Sequence, residues 1–132
     1  NLIHMLIYAD MPHAPGNWNA RRKVMFYYML DEIRERITQS EGLAQLAEEA
    51  SELAHAALKL RRAYDGKNPT PVTIKEAYDC LIEEFADIKA CADVLGFNRH
   101  CEMCKIENAE GDKLTRWATR LMESEEQTHE HE

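Results

Sequence analysis

The chain has 132 residues, 45% of them hydrophobic and 30% charged, which fits one folded domain and excludes a disordered polypeptide. Asp and Glu number 24 against 16 Lys and Arg, a formal net charge of -8, so neither a nucleic acid polymer nor an anionic membrane surface is an expected partner. One domain over residues 1–132 is expected, with an N-terminal extension (1–19), a helical core (20–122) and a flexible acidic tail (123–132).

No apolar run approaches the roughly eighteen residues of a membrane-spanning helix. Leu2 to Ala9 is apolar but short, lacks a basic flank and is followed by Asp10 and two prolines, so it does not read as a signal peptide. Cys80, Cys91, Cys101 and Cys104 are too few for a disulfide scaffold. Without an export signal, reduced thiols in a cytoplasm are expected.

Pro12, Pro15 and Gly16 mark a first loop. A helix is predicted from about Ala20 to Ile37, with Val24, Tyr27, Tyr28, Leu30 and Ile33 as its apolar side. The second runs from Thr38 or Ser40 to Tyr64. Thr38 and Glu41 form its capping box, and Leu43, Leu46, Ala47, Ala50, Leu53, Ala54, Ala57 and Leu58 its stripe. A loop with Gly66, Pro69 and Pro71 follows. The third helix opens at Thr73, where Glu76 completes another capping box. It carries Ile74, Ala77, Leu81, Phe85, Ile88, Ala92 and Leu95, and stops at Gly96. The last is predicted from Asn98 to Met122 with a break near Gly111. No strand alternation appears, so the fold is an all-α bundle of four to five helices, completed by dimerisation.

Two consecutive helices repeat one unusual feature. The second contains Glu48-Glu49-Ala50-Ser51-Glu52, the third Glu83-Glu84-Phe85-Ala86-Asp87. Residues three apart share a helix surface. Glu49 and Glu52 fall at the edge of one apolar stripe, Glu84 and Asp87 at the edge of the other. Antiparallel packing across the short loop would turn these four carboxylates toward each other. Such a cluster repels itself unless protons or cations neutralise it. Hard Mg²⁺ or Mn²⁺ is the natural partner, since it takes oxygen ligands and keeps waters that a phosphate can replace. Glu52-x-x-His55 alone does not make a di-iron site, which needs the motif on two helices.

The two blocks, LAQLAEEASELAHAALKLRRA and LIEEFADIKACADVLG, resemble the MazG-like superfamily of all-α nucleoside triphosphate pyrophosphohydrolases, which includes the dimeric dUTPases. The similarity spans Leu43 to Leu95, about two fifths of the chain, and rests on Glu-Glu-x-x-Glu on one helix and Glu-x-x-Asp on the next. Gln39 matches a glutamine common upstream of the motif. The Cys-Pro-Trp-Asp segment of many MazG proteins has no counterpart here, and the first forty residues match no part of the family. The resemblance implies Mg²⁺-dependent cleavage of a nucleotide to its monophosphate and pyrophosphate by water, in a homodimer or dimer of dimers. By position Glu49, Glu52, Glu84 and Asp87 would hold the metal, and Glu48 would orient or deprotonate the water. Lys59, Lys105, Asn108, Lys113 and Arg116 would hold phosphates. The competing expectation is a non-catalytic helical binding module on the same scaffold.

Overall fold

The computed structural model describes residues 18–67 and 71–129, with side chains over 22–124 of these. The described residues form four helices and no strand: α1 (Trp18–Arg34), α2 (Gln39–Tyr64), α3 (Ile74–Val94) and α4 (His100–His129). The all-helical expectation holds at this level. Expectations for residues 1–17 and for the acidic end at 130–132 lie outside the described residues. The chain divides into two compact units, Asn1–Leu95 and Gly96–Glu132.

Both predicted capping boxes are formed. Thr38 Oγ1 accepts from the Glu41 backbone N–H at 3.2 Å, and the Glu41 carboxylate takes the Thr38 N–H at 2.7 Å. Thr73 and Glu76 repeat the pair at 3.2 and 2.9 Å. These backbone bonds hold the Glu41 and Glu76 carboxyls below the usual carboxylate range. At its other end α2 stops in a Schellman motif. Lys67 N–H reaches the Arg62 carbonyl at 3.0 Å, and Gly66 takes φ 65°, a backbone state that a side chain penalises. Gly96, at φ 88°, follows α3 in the same way.

Two boundaries differ from expectation. α1 ends at Arg34, short of Ile37, because Thr38 must be extended (φ -78°, ψ 159°) to cap α2. α4 runs through Gly111 without a break and continues to His129, so residues 123–129 of the expected flexible tail are helical. A single helical glycine costs only about 1 kcal/mol, too little to interrupt a helix with strong formers on both sides.

Within the first unit α2 packs along α3. Gly42 lies against Leu95, Glu49 and Glu52 act on Glu84, and Lys59 acts on Glu76. Numbers rise along one helix as they fall along the other, so the pair is antiparallel. α1 is tied to the C-terminal end of α3. Leu30 is 4% exposed, and Arg34 donates from Nε to the Val94 carbonyl at 3.0 Å and from Nη2 to the Asp93 carbonyl at 2.6 Å. These are carbonyls that the last turn of a helix leaves without partners. The Asp93 side chain, 8% exposed, is paired with Lys89 at 2.9 Å.

The expected apolar faces are only partly buried. Leu30 and Ala77 are covered, and Leu46, Leu53, Leu81, Ile88, Ala92 and Leu95 are half-buried. Val24, Tyr27, Ile33, Leu43, Leu58, Ile74 and Phe85 are exposed, as are Ala47, Ala50, Ala54 and Ala57. Ala56 and Leu60, outside the predicted stripe, are buried instead. A contact between two helices is one seam wide, while the apolar stripes are broader than one neighbour covers. Replacing Thr73 by Ala removes one side-chain cap and is expected to lower stability by about 1 kcal/mol, read by chemical denaturation; Thr38→Ala should cost a similar amount.

Candidate carboxylate centre

The antiparallel register turns one flank of α2 toward one flank of α3. Glu49 and Glu52 project from α2 and Glu84 from α3, and one carboxylate oxygen from each lies within 4.8 Å of the others. Glu49 and Glu84 are half-buried, whereas Glu52 is exposed. Gln45, one turn before Glu49, donates from Nε2 to its Oε1 at 2.5 Å. Cys80 Sγ stands 4.0 Å from Glu84 Oε1.

Glu84 carries the electrostatic signature of the cluster. Loss of hydration pushes its carboxyl above the usual range, and the negative charges of Glu52, Asp87 and Glu49 push in the same direction. A hydrogen bond shared with Glu52 adds to this, because two ionised carboxylates have no hydrogen to share. The same field reaches Cys91, whose thiol is pushed up by burial and then by Glu49 and Asp87.

Three of the four predicted metal ligands therefore converge. Asp87 contributes field to Glu84 and Cys91 but no oxygen to the close triad. It sits about 60° further round α3, on the solvent side, and its side chain is one methylene shorter than that of Glu. Glu48 is exposed, one residue and so about 100° away from Glu49. Lys59 is half-buried and acts on Glu76; seven residues of helix put it about 10 Å along α2 from Glu52.

The remaining candidates belong to the second unit. Lys105 is exposed and 3.8 Å from Glu102. Asn108, Lys113 and Arg116 are exposed on α4, and Lys113 and Arg116 enter no ion pair among the described residues. Lys113, Thr115, Arg116, Trp117, Thr119 and Arg120 line an open cavity of about 730 Å³. Gln45 and Arg120 were not singled out in the sequence. Each lies one turn from a residue that was, at i−4 of Glu49 and i+4 of Arg116, and that spacing is the signal that points to them.

Scans against known protein families, curated proteins and solved structures find no match to this chain.

Because Glu84 holds its proton to higher pH in the folded chain than in the unfolded one, folding takes up a proton at pH values between the two titrations. Stability from this group is present below that range and is lost as pH rises through the folded value. Glu84→Gln is thus expected to raise the melting temperature at neutral pH in EDTA, with the gain vanishing on acidification. The capping carboxyls of Glu41 and Glu76 have the opposite slope, and they cancel in this comparison with wild type.

Proposed function

We propose that this chain is a Mg²⁺-dependent nucleotide pyrophosphohydrolase, cleaving a (deoxy)nucleoside triphosphate to monophosphate and pyrophosphate. The observation that carries the reading is the convergence of Glu49, Glu52 and Glu84 from consecutive helices, with the Glu84 carboxyl already destabilised as an anion. The donor set fits a hard divalent cation: all three donors are carboxylate oxygens, and they stand within 4.8 Å of each other, so little movement closes them around an ion. Mn²⁺ has the same preference. Bound there, the metal would offset phosphate charge and lower the pKa of a coordinated water.

The chain's own groups have separate tasks in this reading. Glu49, Glu52 and Glu84 hold the cation, with Asp87 adding charge beside them. Gln45 fixes the Glu49 carboxylate by its 2.5 Å bond. Glu48, exposed on α2, is the proposed group that orients or deprotonates water. Lys59, on the same unit as the carboxylates, is the proposed phosphate contact beside them.

The working form is proposed as a homodimer or a dimer of dimers in the cytoplasm. No helix among the described residues is long and apolar enough to cross a membrane. Tyr78, Ile82 and Phe85 share one face of α3 and are exposed, Phe85 at 60%. That face is turned about 100° or more from Glu84, so covering it with a second copy leaves the carboxylates open.

Pyrophosphate release from a panel of nucleotides should require Mg²⁺ and stop in EDTA. Glu49→Gln should lower it at least about 100-fold, the loss expected when a metal's several kcal/mol are forfeited, and Asp87→Asn, which removes charge but no close oxygen, should lower it by less. A wild-type protein with no turnover and no Mg²⁺-dependent shift in melting temperature would overturn the assignment and leave the helical binding module. Sedimentation should give twice or four times the chain mass, and Phe85→Lys should shift the population toward monomer.

A further inference from the structure

Four cysteines divide into two kinds. Cys80 and Cys91 are half-buried on α3 beside the carboxylates, while Cys101 and Cys104 are exposed, free thiols in the first turns of α4. We propose that Cys101 and Cys104 form a dithiol/disulfide pair whose oxidant is a low-molecular-weight disulfide of the glutathione type.

The spacing permits the bond. Helical Cα atoms three residues apart are about 5 Å apart, from a rise of 1.5 Å and a radius near 2.3 Å. That lies inside the roughly 4.4–6.8 Å that a disulfide spans. The Cβ atoms, about 5–6 Å apart on a regular helix, must approach further. A first turn can tighten in this way, because its leading N–H groups have no partner within the helix to lose. Cys80 and Cys91, eleven residues apart on α3, are separated by about 16 Å along its axis and cannot pair with each other.

Three observations favour thiol chemistry at Cys101 and Cys104 over a metal pair or inert packing. Both side chains face solvent, so an attacking or leaving thiol has free access. The only His, Cys, Asp or Glu group of three among the described residues that could hold an ion is the carboxylate triad, so this pair lacks a third zinc donor there. His100 Nε2 lies 3.9 Å from Cys104 Sγ, close enough to receive the thiol proton.

Cys104, deprotonated to His100 or water, attacks one sulfur of the small disulfide. One S–S bond breaks, and the first glutathione leaves as a thiolate and takes up a proton. The Cys101 thiolate then attacks the Cys104 sulfur of the mixed disulfide and releases the second glutathione. The protein dithiol is oxidised by two electrons and the small disulfide is reduced to two thiols. A bond that must tighten a helical turn is strained and exposed, the kind that thiols reverse readily.

The test uses the full chain, reduced and then equilibrated with oxidised glutathione. Intact mass should fall by two hydrogens, and alkylation should be lost at Cys101 and Cys104 while Cys80 and Cys91 label as before. Dithiothreitol should restore both sites. In Cys101→Ser, glutathione should remain on Cys104, because no second thiol displaces it. Unchanged alkylation of the wild type, glutathione retained on both cysteines, disulfide-linked chain dimers in place of the internal bond, or a tightly held zinc ion at this pair would each overturn the proposal.

Discussion

The seam between α2 and α3 is the constraint on which the rest depends. Burying Ala56, Leu60 and Ala77 requires the two helices to lie antiparallel in one register. That register also presses Glu49 and Glu52 toward Glu84. Separating the helices would relieve the repulsion but would return the seam to water, at about 25 cal/mol per Å² of apolar area. Apolar contact thus holds acids together that would otherwise part. The strain shows in the Glu84 carboxyl, which favours its proton.

The ends of the helices are managed by short-range chemistry, with one exception. Two Thr–Glu boxes open α2 and α3, and two glycines at positive φ follow them. The C-terminal carbonyls of α3 are met differently, by Arg34 reaching across from α1. That bond joins residues about sixty positions apart and links α1 to the end of the helix that carries Glu84. It contributes order to the hairpin without touching the carboxylates.

The first unit leaves much apolar surface uncovered, and the carboxylate flank is not where it lies. Phe85 follows Glu84 directly in sequence yet points about 100° away. The same helix therefore carries an acidic flank and, turned away from it, an exposed apolar face. Three of the second unit's basic side chains, Lys113, Arg116 and Arg120, lie on the α4 face that lines its cavity.

Local chemistry was readable residue by residue. Capping boxes at Thr38 and Thr73, stops at Gly66 and Gly96, and the acidic motifs at 49, 52, 84 and 87 depend on neighbours within four positions, so the amino-acid order alone determined them. Gly111 shows the limit of that reasoning, since one residue's preference was outweighed by the helix around it. Which part of each apolar stripe is covered, that Asp87 stands apart from the triad, and that Arg34 closes α3 were decided only by tertiary packing. Periodicity identifies the side of a helix that avoids water. It does not say how wide a neighbour is, or which distant residue reaches it.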